Sequence, residues 1–161
     1  MEWTLPLRTR RATQRLGAAL ARELEVGDVV VLEGPLGAGK TFLARAIARG
    51  LGVPSRLPVA SPTFALVHEL PARVPVVHAD LYRLAAVSDV ESLGLDEVRA
   101  TAITIVEWGA RFAGALGRDR LVITLSRASD DRREAKLHTT GPRSDRIGTN
   151  VAAALAAPVM P

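Results

Sequence analysis

The 161-residue sequence predicts an α/β fold in three layers, with a mostly parallel central sheet flanked by helices and an antiparallel edge pair. Three observations predict it. The run Val29 to Leu32 is short, continuous and β-branched, as a strand buried on both faces of a parallel sheet should be. Apolar runs of this kind alternate along the chain with segments of helical period. Two late runs, Leu121 to Leu125 and Ala135 to Thr139, are separated by the polar stretch Ser126 to Arg133, which suggests the antiparallel pair.

In chain order, Ala12, Leu16, Ala19, Leu20 and Leu24 fall at helical spacing with Arg15 and Arg22 on other faces, so residues 10–25 read as an amphipathic helix ended by Gly27. After the first strand a glycine-rich turn opens a helix from Lys40 to Arg49, which stops at the breaker cluster Gly50 to Pro54. Residues 55–62 read as an exposed loop. Phe64 to Leu70, Val74 to His78 and Ile103 to Glu107 are strand candidates. The tail Ser144 to Ala157 forms a helix with Ile147, Val151 and Leu155 on one face, weakened by Gly148. No repeat and no dividing linker interrupts the chain, so residues 1–161 are expected to form one domain.

Composition narrows the function classes. With 48% hydrophobic and 24% charged residues, the chain can close a core. The longest uncharged apolar stretch, Val151 to Pro161, is well short of the roughly 20 residues of a membrane-spanning helix, so no membrane association is expected. Arg8, Arg10, Arg11 and Arg15 interrupt any secretory signal, which points to the cytoplasm. Zero cysteines exclude disulfides and thiolate metal sites, so a metal here should meet oxygen ligands. The net charge of +4 suits a phosphate-bearing partner only weakly, because a solvated basic surface explains it as well. Only Lys40 and Lys136 are lysines, and Lys40 stands in the glycine-rich loop.

That loop, Gly34 to Thr41, matches G-x-x-x-x-G-K-[ST] without a gap, after a predicted strand and before a predicted helix. The chemistry assigns a task to each part. Backbone N–H groups from Leu36, Gly37, Ala38 and Gly39 can line an anion nest, and the following helix adds the positive end of its dipole. Lys40 reaches the β and γ oxygens, and the Thr41 hydroxyl is a hard ligand for Mg²⁺. The expected ligand is a nucleoside triphosphate with magnesium, bound on a P-loop NTPase fold. Hydrolysis also needs carboxylates, and Asp80 and Glu107 each follow an apolar run, so both should emerge at strand carboxyl ends beside the loop. His78 reads as a strand-end histidine bonded to backbone rather than a proton shuttle. Trp108 and Tyr82 read as packing residues.

Four blocks extend the pattern: GPLGAGKT (Gly34 to Thr41), SPTFALVHEL (Ser61 to Leu70), HADLYRL (His78 to Leu84) with ESLGL (Glu91 to Leu95), and IVEWG (Ile105 to Gly109). In this combination the chain, from about Thr13 to Glu134, resembles the TsaE family, the bacterial ATPases of tRNA threonylcarbamoyladenosine biosynthesis. The resemblance implies an ATPase, weak alone, working with two partner proteins of the TsaB and TsaD type. That partner complex transfers a threonylcarbamoyl group to adenosine 37 of tRNAs reading codons that begin with A, so contact with tRNA itself is expected to be indirect. Carried over, Leu36 to Thr41 would bind ATP phosphates, Thr41 and Glu107 would hold Mg²⁺, Asp80 would be needed for hydrolysis, Thr63 would sense the γ-phosphate, and Arg133 would lie near the nucleotide. Three positions depart from the family's usual residues: Pro35 for Asp, Phe42 for a second Thr or Ser, and Gly109 for Pro. Phe42 should face either the core or the adenine side. The main rival is a small-molecule kinase, for which Arg127, Arg132 and Arg133 could imitate a lid. A regulatory GTPase is disfavoured because neither lysine stands in an N-K-x-D setting.

Overall fold

The computed structural model describes residues 1–127 and 133–157. One seven-stranded sheet runs through them in the order β1-β7-β6-β2-β5-β4-β3. Its centre is parallel: β2 (Val29–Glu33) lies between β6 (Leu121–Arg127) and β5 (Ile103–Glu107), and β5 pairs with β4 (Val76–Asp80). Both margins are antiparallel. β3 (Val67–Leu70) turns back along β4, while β7 (Arg133–Thr139) runs against β6 and β1 (Glu2–Leu7) against β7.

Helices cover both faces. α1 (Arg10–Glu23), α2 (Lys40–Gly50) and α5 (Pro142–Ala156) bury Leu16, Leu43 and Ile147 on one face, over Val30, Leu32, Ile105 and Ile123. The short helices α3 (Val87–Glu91) and α4 (Leu95–Arg99), with a 3₁₀ turn over Ala110–Ala115, cover Val29, Val31, Val77 and Val106 on the other. Alternate residues of the central strands thus feed opposite cores, which is why β2, β4 and β5 are mostly apolar. α1 and α2 pack very closely, because a Cβ at Gly17 would stand 2.4 Å from the Ala46 Cβ.

The sequence reading is corrected at four places. The β6–β7 hairpin is antiparallel, as expected, but it is not the edge: β1, which the sequence reading did not assign, pairs outside β7. Pro6 obscures that strand, and an edge tolerates it because one side of an edge strand donates to no ladder. The expected strand from Phe64 begins only at Val67, and Phe64 is 85% exposed in the preceding turn. The expected strand Val74 to His78 lies two residues later, so Asp80 is the last residue of β4 rather than following it. Of the loop 55–62, Val59 and Pro62 are buried and anchor it.

Candidate nucleotide site

The glycine-rich loop joins β2 to α2 at the carboxyl edge of the parallel strands. Gly39 takes φ +107 at the N-cap of α2, and Gly34 takes φ +131, where a Cβ would collide at 2.2 Å with the Leu125 carbonyl oxygen. Both positions therefore need glycine for the loop to fold over the helix start. Leu36 projects from the tip, 89% exposed, whereas Ala38 is buried against the core.

Lys40 is buried beneath this loop. Its ammonium donates to the carbonyls of Gly34 (2.7 Å) and Pro35 (3.0 Å) and sits 3.8 Å from the centre of the Trp108 ring. Burial pushes the Lys40 pKa below its ordinary value, against the opposing fields of Glu107, Glu33 and Asp80. The missing N–H of Pro35 leaves the loop intact, since the residue contributes a carbonyl to Lys40 and another bond to the Ala38 N–H at 3.0 Å.

Opposite the loop stand the two carboxylates. Asp80 and Glu107 end β4 and β5 and are paired in register, so they lie side by side, at 4% and 2% exposure. The Thr41 hydroxyl donates to both Glu107 oxygens, at 3.0 Å and 3.1 Å. Asp80 accepts from the Ser61 hydroxyl, from Thr63 Oγ1 at 3.3 Å and from the Tyr82 backbone N–H at 2.9 Å. After Glu107 the chain turns through Trp108 at φ +62, a left-handed conformation that costs a non-glycine residue about 1 kcal/mol or more, and this turn sets the ring over Lys40. Leu36, Lys40, Thr41, Thr63, Asp80 and Glu107 all line one cleft of about 360 Å³.

Arg133 lies on the other flank of the loop, its guanidinium 3.6 Å from where a Gly39 Cβ would be. With Thr9, Arg10, Thr13 and Phe42 it lines an adjoining pocket of about 410 Å³. Phe42 thus turns away from the core towards this pocket, under the Arg10 guanidinium at 5.0 Å. Of the suggested lid arginines, Arg132 lies outside the described residues, and Arg127 stands across the hairpin from Arg133.

Three side chains have contacts that the sequence reading did not assign. His78 is bonded to Glu107 Oε1 through Nε2 at 2.8 Å, not to backbone. Trp108 touches the Lys40 ammonium and also packs against Tyr82, so it does more than fill space. Arg111 donates to the carbonyls of Leu81, Tyr82 and Leu84, clamping the turn after Asp80. Ser61 had a signal, its place in the S-P-T-F block; Arg111 had none.

The donor set fits a hard cation held together with phosphate oxygens. Two adjacent buried carboxylates face a single buried ammonium, and the nearest neutral donor is a hydroxyl. Among the described residues no group of three His, Asp or Glu side chains could hold a metal alone, so such a cation would depend on the ligand's own oxygens.

Comparison with known proteins identifies relatives over most of the chain. The chain is 39% identical over 128 residues to the tRNA threonylcarbamoyladenosine biosynthesis protein TsaE of Treponema pallidum, covering 79% of this chain and 93% of that protein. It is 40% identical over 139 residues to the protein of the same name in Bacillus subtilis, covering 85% and 84%. A crystal structure of Bacillus subtilis YdiB superposes with a TM-score of 0.81 at 29% identity, covering 95% of each chain. The family profile "Threonylcarbamoyl adenosine biosynthesis protein TsaE" matches residues 7–135, and the chain belongs to that family.

Proposed function

We propose that this protein is a magnesium-dependent ATPase, slow on its own, that acts with two partner proteins of the TsaB and TsaD type in threonylcarbamoyl modification of adenosine 37 in tRNAs reading codons that begin with A. The observation that supports this reading best is the Thr41 hydroxyl resting on buried Glu107 at the mouth of the amide-lined loop. Both groups line the same cleft as Lys40 and Asp80, where a metal-bound polyphosphate would sit. The names of the relatives supply the pathway, and the loop supplies the nucleotide chemistry.

In this reading the phosphates enter between Leu36 and Thr41 and the nucleoside end lies towards Arg133 and Phe42. Lys40 exchanges its two loop carbonyls for β and γ oxygens, a short movement because those carbonyls lie in the same loop. Thr41 and Glu107 would hold Mg²⁺, which neutralises charge on the transferring phosphoryl group. Asp80 orients the attacking water and takes up its proton, held in place by Ser61, Thr63 and the Tyr82 N–H. Thr63 links the state of that carboxylate to the S-P-T-F segment.

The test combines turnover with capture. Purified protein should release phosphate slowly from ATP and Mg²⁺, and should retain the two partners from a lysate of its source cell in an ATP-dependent manner. Turnover that appears only when an alcohol substrate is added would instead favour a small-molecule kinase, and failure to retain either partner would remove the pathway assignment.

A further inference from the structure

The buried His78 side chain has one polar contact, and it is with the carboxylate that the proposed reading places at the metal. His78 lies mid-strand in β4, 1% exposed, opposite Ile105 of β5. Its Nε2 is 2.8 Å from Glu107 Oε1, and its Nδ1, also buried, has no hydrogen-bond partner. An imidazole serving only to fill the core would be an uneconomical choice, because an apolar side chain fills the same space and leaves no buried nitrogen unpaired. The ring is not oriented by backbone either. What it does is supply an N–H to one Glu107 oxygen from inside the sheet, while Thr41 approaches both oxygens from the loop.

We infer that His78 is the positioning residue of the cation site: its Nε2–H engages Glu107 Oε1 and fixes the carboxylate rotamer, so that Oε2, which the histidine leaves unengaged, is the oxygen offered to the cleft. The inference rests on the proposed assignment of Glu107 to the Mg²⁺ side. Among the described residues, Thr41 and His78 are the two side chains bonded to this buried carboxylate, so they set its direction. Thr41 cannot fix it alone, since its hydroxyl sits nearly equidistant from the two oxygens and tolerates rotation about the carboxyl axis. The histidine bond breaks that symmetry by selecting Oε1.

Two amides of similar size separate this role from packing. In His78→Gln the side-chain N–H can reach the position of Nε2, whereas in His78→Asn it reaches only that of Nδ1 and leaves Glu107 without its inner donor. His78→Leu keeps the volume and removes every donor. The readout is the affinity for a non-hydrolysable ATP analogue titrated with Mg²⁺ and again in excess chelator, the ratio being the gain due to the cation. His78→Asn and His78→Leu should lose about 10–100-fold of that gain with chelator affinity unchanged, and His78→Gln should keep most of it. Either donor-lacking variant suffices if the other does not fold. Equal gains in the Asn and Gln variants, or losses that are the same with and without Mg²⁺, would overturn the inference. A wild-type protein whose affinity does not respond to Mg²⁺ at all would instead overturn the proposed metal-dependent function.

Discussion

Lys40 illustrates how single residues set the terms of this site. Its ammonium is fully satisfied before any ligand arrives, by two carbonyls and the face of Trp108, so a bound phosphate must compete with contacts inside the protein. Lys40→Ala removes the one buried cation that lines the cleft among the described residues and is expected to weaken ATP binding and abolish turnover, measured by titration calorimetry and phosphate release. Asp80→Asn keeps an acceptor for Tyr82 N–H and a comparable volume but cannot take a proton. It should leave ATP affinity within a few-fold of wild type while lowering turnover by about 10²–10⁴-fold. Retained hydrolysis in that variant would refute the role given to Asp80. Away from the cleft, the Thr104 hydroxyl is buried in β5 without a partner. Thr104→Val keeps the shape, suits a strand and removes the unpaired group, so it should raise stability by about 1 kcal/mol in denaturant titration. At this scale much of the site was legible: loop spacing and strand-end carboxylates name Lys40, Thr41, Asp80 and Glu107 as neighbours, and they line one cleft. Histidine 78 was not, because its partner is twenty-nine positions away and nothing local marks a His–Glu bond.

Elements place these residues, and the legible ones are those whose burial is one-sided in period or complete. β2, β4 and β5 are mostly apolar because helices cover both faces, and each could be read as a strand, β4 with its bounds two residues early. β1 was not readable: it has six residues, includes Pro6, and gains its stability from pairing with β7, more than 120 positions later. α5 shows a cap that no local pattern announces. Its start has Gly141 and Pro142, neither with a capping side chain, and the acceptor is Asp119, which receives the N–H groups of Arg143 (2.7 Å) and Ser144 (2.9 Å). Burial pushes the Asp119 carboxyl up, but the bonds from Ser144 and Arg143 outweigh it and hold the pKa below the usual 3.8. A carboxyl depressed in the folded state stabilises it fully above the unfolded pKa and loses that contribution as pH falls through the lower, folded value. Asp119→Ala should therefore cost about 0.5–2 kcal/mol near neutral pH. The difference from wild type should shrink below about pH 3.8, where wild type begins to lose the same charge-assisted cap. Parallel thermal melts across that range would show it, and a gap that stays constant with pH would mean the cap is not electrostatic.

At the scale of the whole molecule, the sheet edge joins the cleft proposed for the nucleotide to a rim of exposed side chains. Leu36 from the loop tip, Phe64 from the S-P-T-F segment and Tyr82 from the turn after Asp80 are 89%, 85% and 56% exposed around the cleft, and Arg83 lies 4.3 Å over the Phe64 ring. Between this rim and the cleft runs one chain of contacts, from Asp80 to Thr63 and Ser61 and so to the turn that carries Phe64. A γ-phosphate that recruits Thr63 would break its 3.3 Å bond to Asp80 and reorder that turn, so nucleotide state and partner affinity would be coupled through two residues of sequence. Thr63→Val removes the hydroxyl without changing the side chain's shape. It should leave affinity for ATP itself nearly intact but forfeit most of the ATP-dependent gain in partner affinity, a gain expected in the range of about 5–150-fold for coupled sites. Binding of the partner complex to immobilised protein, measured with ATP, with ADP and with neither, separates the two effects. If the variant's gain with ATP equals that of wild type, the coupling does not pass through Thr63, and the S-P-T-F turn is a fixed wall of the cleft rather than its switch.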